Sequence, residues 1–233
     1  MTSGEFADAT IVFDLDGTLV DTAPDLARAL NETLDLEGLP HLPLEKVRRM
    51  VGGGARALIE SASALAGAHF SAERLDQLTS AYIEFYRVDI ARESTPFPET
   101  ITALDALAAA GAKLSVCTNK RTDLSLQLLD ALGFATRFSA IVGADSAPNR
   151  KPHPDHYRAA VERAGGEMRR SLMVGDTAAD VAAARGAGAP VALVRFGYAA
   201  DEVERLGADA LLDRFSDLVP TCRRLLHPPS AKA

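Results

Sequence analysis

The sequence predicts an α/β protein in which helices cover a parallel β-sheet and a helical segment is inserted after the first strand. Short apolar runs alternate with segments whose apolar residues recur at helical spacing, and from Pro98 onward this alternation is regular. Strands that are nearly all apolar and separated by helices are typical of a sheet buried on both faces. The predicted strands are Thr10–Phe13, Lys113–Cys117, Ala140–Val142, Ser171–Val174, Pro190–Val194 and Ala210–Leu212.

Four helices are predicted between these later strands. Each should end close to a glycine, Gly111, Gly133, Gly165 or Gly188, because glycine adopts the positive φ of a helix C-terminus without strain. The predicted apolar faces are Ile101, Leu104, Leu107 and Ala108; Leu124, Leu128, Leu129 and Leu132; Tyr157, Ala160, Val161 and Ala164; and Val181 and Ala184.

Residues 22–94 break the alternation, because this stretch contains helical patterns and no β-like run. We predict an α/β core made of residues 1–21 and 95–233 and a helical cap made of residues 22–94. The linkers are expected near Val20–Pro24 and Ser94–Pro98, where prolines disfavour helix. The helical patterns in the cap are Leu26 to Leu34, Val47 to Val51, Leu58 to Leu65 and Leu75 to Phe85.

Composition limits the class of protein. The chain has 233 residues, of which 47% are hydrophobic, so it can bury a sizeable core. A formal net charge of −7 argues against general nucleic-acid binding, which needs a basic surface. Two cysteines, Cys117 and Cys222, favour a reducing compartment over a disulfide framework. Because no run approaches the length of a membrane span and MTSGEFAD lacks a signal-peptide pattern, we expect a soluble cytoplasmic protein, monomeric or homodimeric.

Polar residues follow several predicted strands at their carboxyl ends, where open α/β sheets bind ligands. Carboxylates, a hydroxyl and a lysine from separate segments should therefore converge on one edge of the sheet. Taken alone, two aspartates at a strand end also fit a turn or a helix cap. In chain order these residues are Asp14 and Asp16; Thr118 and Asn119; Asp145 and Lys151; and Asp176 and Asp180.

The chain resembles the haloacid dehalogenase superfamily in four ordered motifs. These are DLDGT at 14–18, the apolar run ending in Thr118, Lys151 in KPHP, and GDTAAD at 175–180. The resemblance implies a Rossmann-like parallel sheet core of the haloacid dehalogenase type with an inserted helical cap, and a phosphatase activity. The segments APDLARAL, VGGGARALIE at 51–60, TNK at 118–120 and RFGYA at 195–199 further resemble the phosphoglycolate phosphatase branch.

The resemblance implies different roles for the two carboxylates of the first motif. Asp14 would be the nucleophile that attacks phosphorus and forms an aspartyl phosphate, which divides a difficult displacement into two easier steps. Asp16 would protonate the leaving alkoxide and then take a proton from the water that hydrolyses the intermediate.

Mg²⁺ is the implied cofactor, because a hard divalent cation prefers oxygen ligands and bridges a substrate phosphate to protein carboxylates. The expected ligands are Asp14, Asp176 and the backbone carbonyl of Asp16. Asp180 would support the metal site, either by holding the groups around the metal or by coordinating it through a water molecule.

Phosphate binding is assigned to a cation and a set of hydrogen-bond donors. Lys151 and Thr118 would hold the oxygens of the transferring phosphoryl group as charge and donor respectively. Backbone N–H groups near Leu15 and Asn119 would assist.

We expect a Mg²⁺-dependent phosphatase acting on a small phosphorylated acid, with 2-phosphoglycolate as the leading substrate by resemblance. A phosphosugar mutase and a phosphatase of another small metabolite are the alternatives. A dehalogenase would leave Asp16 without an alkoxide to protonate. A non-catalytic binding protein conflicts with the intact set of nucleophile, acid, lysine and metal carboxylates.

The inserted helices are expected to act as a lid that excludes bulk water and supplies specificity groups. Gly52 to Gly54 would form a flexible loop whose backbone can approach a small ligand. Arg56 is the expected ligand of a substrate carboxylate, with Arg48 and Arg49 as further candidates. The histidines lack metal-ligand spacing, and the tail HPPSAKA is predicted to fray.

Overall fold

The computed structural model describes residues 4–226 and contains a six-stranded, all-parallel sheet in the order β5–β4–β1–β6–β7–β8. In chain order, the strands are β1 (Thr10–Phe13), β2 (Val20–Asp21), β3 (Thr95–Pro96), β4 (Lys113–Cys117), β5 (Ala140–Val142), β6 (Ser171–Gly175), β7 (Val191–Val194) and β8 (Ala210–Leu212). All six predicted strands are present and the predicted fold class is confirmed. Only two ends differ, since β6 extends to Gly175 and β7 begins at Val191.

Nine α-helices accompany the strands within the described residues. They are α1 (Ala23–Asp35), α2 (Leu44–Arg48), α3 (Ala55–Leu65), α4 (Ala72–Val88), α5 (Thr100–Ala109), α6 (Thr122–Ala131), α7 (Pro154–Arg163), α8 (Ala178–Gly186) and α9 (Leu218–Leu226). Gly111, Gly133, Gly165 and Gly188 follow α5 to α8 with φ between 69° and 93°, as predicted. Helix α9 was not predicted, although it buries Leu218 and Cys222 on one face.

Helices α1 to α4 occupy the inserted segment, which contains no strand between residues 22 and 94. The predicted inner face of α1 is buried, including Leu26 and Leu30. The second helix was misplaced: α2 ends at Arg48 rather than continuing to Val51, because the chain turns toward Gly52, which has a φ of 121°.

The two linkers pair with each other as the antiparallel strands β2 and β3, with Val20 opposite Pro96 and Asp21 opposite Thr95. This pair was not predicted from the sequence, because strands of two residues are too short to show a periodic pattern. The pairing brings both chain crossings between core and cap to the same place. The exact boundaries of core and cap stay a prediction.

Strand β1 lies at the centre of the sheet, and alternate residues pack on opposite faces. Ile11 and Phe13 belong to one buried cluster, whereas Val12 packs with Cys117 and Met173 in the other. Both cysteines are free and buried. Within residues 4–226, no helix combines the length and hydropathy needed to cross a bilayer. The tail predicted to fray, residues 227–233, lies outside the described residues.

Candidate active site

Asp14 and Asp16 lie on a tight turn directly after β1. The N–H of Leu15 donates a hydrogen bond to Asp14 Oδ1 at 2.7 Å. Gly17 turns the chain with a φ of 82°, and a methyl group at this position would lie 2.5 Å from a carboxylate oxygen of Asp176. The turn therefore requires glycine, and it brings the carboxylates of the first and last motifs together.

Lys151 contacts two of the predicted carboxylates. Its side chain is 1% exposed, and Nζ lies 2.9 Å from Asp14 Oδ1 and 2.7 Å from Asp180 Oδ1. The Lys151 N–H donates to Nδ1 of the buried His156 at 3.0 Å, while His156 Nε2 lies 3.0 Å from the Gly143 carbonyl oxygen. Since Nδ1 accepts, Nε2 carries the proton and donates to Gly143. A neutral His156 therefore fixes the loop that presents Lys151.

Asp14, Asp176 and Asp180 form a buried cluster in which one carboxylate oxygen from each lies within 4.8 Å of the others. Burial, together with the charge of Asp180, raises the pKa of Asp14 to about 7 despite the opposing charge of Lys151. Burial and the charges of Asp14 and Asp180 raise the pKa of Asp176 well above its ordinary value. Although burial lowers it, the charges of Asp14 and Asp180 raise the pKa of Lys151 above its usual range. These all-oxygen, mutually repelling donors fit a hard divalent cation.

Asp176 and Asp180 differ in their hydrogen bonds. Asp176 accepts from the Thr18 hydroxyl at 3.0 Å and from the Tyr198 N–H at 2.8 Å, and no cationic side chain within residues 4–226 forms an ion pair with it. Asp180 Oδ2 accepts from the N–H and hydroxyl of Thr177 at 3.0 and 2.7 Å and caps α8. Its Oδ1 contacts the site lysine. Both oxygens of Asp180 are therefore engaged by the protein.

Asp16 is held by two side chains. The Thr22 hydroxyl donates to Asp16 Oδ1 at 2.6 Å, and Lys120 Nζ lies 2.9 Å from the same oxygen. The Lys120 ammonium also sits 4.5 Å from the ring centroid of Tyr86, a cap residue on α4. Lys120 belongs to the TNK segment at 118–120, but the sequence predicted no role for it. Its position next to Thr118 and Asn119, two predicted site residues, was the feature of the sequence that could have pointed to it.

Thr118 and Asn119 follow β4 at the same edge of the sheet. Thr118 is buried, and its hydroxyl oxygen accepts from the Lys120 N–H at 3.2 Å, which leaves the hydroxyl proton available to a ligand. The Asn119 amide donates to the Gly52 carbonyl at 2.8 Å and to the Lys151 carbonyl at 3.0 Å. Asn119 therefore connects the glycine-rich cap loop to the loop of the catalytic lysine candidate.

A cavity of about 260 Å³ opens between this edge of the sheet and the cap helices. Asp14, Asp16, Thr118, Asn119 and Arg56 line it, whereas Lys151, Asp176 and Asp180 are buried outside its lining. Further lining residues are Lys120, Arg121 and Arg150 from the core and Gly52, Gly54, Tyr82 and Tyr86 from the cap. Core and cap therefore both contribute to the wall of one partly open cavity above Asp14.

The cap arginines are placed differently from one another. Arg56 lines the cavity but also pairs with Asp76 and lies 3.6 Å from Glu60. Arg48 and Arg49 instead line a separate cavity of about 150 Å³.

Asp145 is not part of the cluster either. Its carboxylate accepts from the N–H and hydroxyl of Thr122, both at 2.8 Å, at the start of α6. Rather than joining the other carboxylates, Asp145 is held at the start of α6, because Thr122 provides two donors there.

Comparison with known proteins agrees with the geometry. A family model for haloacid dehalogenase-like hydrolases matches residues 9–188. The phosphoglycolate phosphatase of Caulobacter vibrioides is 52% identical over 218 residues, covering 94% of this chain and 92% of that protein. The phosphoglycolate phosphatase of Agrobacterium fabrum is 42% identical over 222 residues, covering 95% of each chain.

A solved structure supports the same assignment. The crystal structure of a predicted phosphoglycolate phosphatase from Haemophilus somnus is similar with a TM-score of 0.84 and 31% sequence identity. The match covers 91% of this chain and 97% of that one. On the family model, the relatives and the shared fold, this chain belongs to the haloacid dehalogenase-like hydrolase family.

Proposed function

We propose that this protein is a Mg²⁺-dependent phosphatase that hydrolyses 2-phosphoglycolate to glycolate and phosphate. The observation that carries the proposal is the contact of Asp14 with Lys151 at 2.9 Å beside the cavity between core and cap, which pairs a nucleophile with a phosphate-binding cation. The names of the relatives support the substrate. Membership of a hydrolase family supports the reaction class.

Asp14, Asp176 and the backbone carbonyl of Asp16 are the proposed metal ligands. The lack of an ion-pair partner for Asp176 and the raised pKa values of Asp14 and Asp176 support this choice, because a bound cation would offset their repulsion. Bound Mg²⁺ would supply charge that neutralises the phosphate and the attacking carboxylate. Asp180 would act by holding Lys151, since both of its oxygens already accept hydrogen bonds.

Asp14 attacks the phosphorus in the first step. A new bond forms between its carboxylate oxygen and phosphorus while the bond from phosphorus to the ester oxygen breaks. Asp16 gives its proton to the departing oxygen, so glycolate leaves as an alcohol and Asp16 becomes a carboxylate. Lys120, 2.9 Å away, is placed to stabilise that carboxylate.

Hydrolysis of the aspartyl phosphate completes the cycle. Asp16 accepts a proton from a water molecule as the water oxygen attacks phosphorus, and the bond to the Asp14 oxygen breaks. Phosphate leaves, Asp14 is restored as a carboxylate and Asp16 as an acid. The cap residues that line the cavity would reduce the access of bulk water to this intermediate.

The phosphoryl oxygens are assigned to Lys151, to the hydroxyl of Thr118 and to backbone N–H groups near Leu15 and Asn119. Lys151 and Thr118 are both at least 98% buried, so their interaction with a phosphate would be little screened by water. Arg56 is assigned to the part of the substrate that faces the cap, because it lines the same cavity.

A phosphate-release panel tests the proposal. Purified protein with Mg²⁺ is incubated with 2-phosphoglycolate, phosphosugars, nucleotides and pyrophosphate, and free phosphate is measured. We expect the highest kcat/KM for 2-phosphoglycolate and no release after chelation of the metal. An isomerised phosphosugar without free phosphate would instead identify a mutase, and no turnover on any ester would identify a binding protein.

A further inference from the structure

Four cationic side chains line the cavity above Asp14, and only one of them is without a partner. The Arg150 side chain has no hydrogen bond or ion pair to any residue between 4 and 226. Its guanidinium is therefore free to bind an anion that enters the cavity. The other three already contact carboxylates: Arg56 pairs with Asp76, Lys120 with Asp16, and Arg121 with Asp123.

Arg150 lies where the core meets the cap. It directly precedes Lys151, and a methyl group at Gly54 would lie 3.1 Å from Arg150 Nη1. Gly54 has a φ of 84° and ends the glycine-rich cap loop before α3. The guanidinium is therefore in the seam between the two parts, on the cavity wall, and next in sequence to the proposed phosphate-binding lysine.

The cap side of this seam adds to the positive potential. No side chain caps the first turn of α3, and that turn contains Arg56 and no acidic residue. The unpaired N–H groups at a helix N-terminus favour a nearby negative charge. At the core side of the cavity, the carboxylates of Asp14 and Asp16 each have a lysine partner. An anion near Arg150 would therefore be attracted by both the guanidinium of Arg150 and the N-terminus of α3.

We infer that Arg150 binds the carboxylate of the substrate while Lys151 binds its phosphate. This inference rests on the proposed function and names the residue that selects a carboxylated phosphate ester. A guanidinium presents two parallel N–H donors that match the two oxygens of a carboxylate. Adjacent residues would then bind the two anionic groups of one small molecule, and the closeness of the guanidinium to Gly54 would make binding sensitive to the position of the cap.

The experiment compares two substrates that differ in one charge. KM and kcat are measured with 2-phosphoglycolate and with its neutral amide, 2-phosphoglycolamide, for wild type and Arg150→Gln. We expect the variant to raise KM for 2-phosphoglycolate at least about tenfold and to change KM for the amide less than about twofold. Arg150→Lys should show an intermediate KM for 2-phosphoglycolate, because it keeps the charge but loses the paired donors.

Arg121→Gln is the matched control, since Arg121 lines the same cavity but pairs with Asp123 at 3.0 Å. It should leave both KM values near wild type. Arg56→Ala should raise KM for 2-phosphoglycolate more than for p-nitrophenyl phosphate, but less than Arg150→Gln does, because Arg56 is engaged by Asp76 and Glu60.

The outcomes separate this inference from the proposed function. If wild type hydrolyses 2-phosphoglycolate and Arg150→Gln has the same KM for it, Arg150 does not bind the carboxylate. The same conclusion follows if the variant raises KM equally for 2-phosphoglycolate and for its amide. If wild type releases no phosphate from 2-phosphoglycolate, the proposed function itself is wrong. Because Arg150 is exposed and unpaired, the variant should keep the wild-type melting temperature.

Discussion

The hydroxyl of Tyr198 accepts a hydrogen bond from the backbone N–H of Thr22 at 2.7 Å. The same hydroxyl accepts from the N–H of Ala23 at 2.8 Å and donates to Asp21 Oδ1 at 2.9 Å. The backbone N–H of Tyr198 donates to Asp176 at 2.8 Å. One residue therefore connects a proposed metal ligand to the segment that joins core and cap.

Tyr198→Phe should lower the free energy of unfolding by about 1–3 kcal/mol, because two backbone N–H groups lose their acceptor. It should also lower kcat, since the linker is no longer tied to the Asp176 loop. Urea unfolding and steady-state kinetics measure the two effects.

Tyr157→Phe is the matched control. The buried Tyr157 hydroxyl makes one hydrogen bond, to Ser171 at 2.8 Å, at the amino end of β6. This variant should lose stability without losing kcat. Equal kcat values for Tyr198→Phe and wild type would show that the linker contact does not support turnover.

Apart from Asp145, the residues that the sequence placed at strand ends do converge, and the reason is topological. Parallel strands present their carboxyl ends at one edge, so Asp14 and Asp176 could be placed together from the strand pattern alone. Tyr198 and Thr22 are 176 positions apart, and neither directly follows a strand that the sequence predicts. Hydrophobic periodicity carries no information about such a long-range contact. The role of the tyrosine in RFGYA therefore could not be predicted from the sequence.

Free and paired arginines cannot be told apart in a sequence either. Arg56 is predicted to bind the substrate carboxylate because it is a cationic residue of the cap. The structure adds that Asp76, one helix further along, already pairs with it. No role is predicted for Arg150 from the sequence, because its importance depends on its side chain being unpaired, which only the three-dimensional structure shows.

Lys120→Met should reduce both stability and turnover. Asp16 would keep only the Thr22 hydroxyl as a partner, and we expect a loss of about 1–3 kcal/mol in the free energy of unfolding. The kcat should fall at least about tenfold, because the Asp16 carboxylate formed in the first step loses its neighbouring cation. Denaturant titration and phosphate release measure the two quantities.

Tyr86→Phe is the control for Lys120→Met, because it removes only the hydroxyl of the cap residue beside Lys120. The Tyr86 hydroxyl is buried without a hydrogen-bond partner in the described part of the chain, so its removal should be neutral or stabilising. The ring that Lys120 contacts is kept. If Tyr86→Phe lowers kcat as much as Lys120→Met, the effect belongs to the cap packing and not to the ion pair.

Mg²⁺ alone should raise the melting temperature of the wild-type protein. At 100 times its dissociation constant, a ligand adds about 2.7 kcal/mol of stability, which corresponds to roughly 5–10 °C for a chain of this size. Asp176→Asn should remove most of this rise, whereas Asp145→Asn, a strand-end aspartate outside the cluster, should keep it. A full rise in Asp176→Asn would place the ion elsewhere.

His156 should make the protein less stable in acid. Burial, assisted by the charge of Lys151, lowers the pKa of His156 to about 4 from an ordinary value near 6.5. The unfolded chain takes up a proton at higher pH than the folded chain does. The contribution of His156 to the free energy of unfolding is therefore fully present above pH 6.5 and is lost as the pH falls toward 4.

Comparison with His156→Gln isolates this residue, because Asp14, with its raised pKa, changes stability in the opposite direction over the same pH range. The difference in unfolding free energy between the two proteins should shrink by about 2 kcal/mol between pH 8 and pH 5. A difference that stays constant with pH would mean that folding does not lower the pKa of His156.

The central claim is that Asp14 becomes phosphorylated during turnover. Enzyme mixed with excess 2-phosphoglycolate and Mg²⁺ is quenched rapidly and treated with borohydride, which reduces an aspartyl phosphate to homoserine, and peptides are sequenced by mass spectrometry. We predict homoserine at position 14 only when substrate is present, and none in Asp14→Asn, which should release no phosphate. Unmodified Asp14 during active turnover, or phosphate release by a clean preparation of Asp14→Asn, would contradict the account.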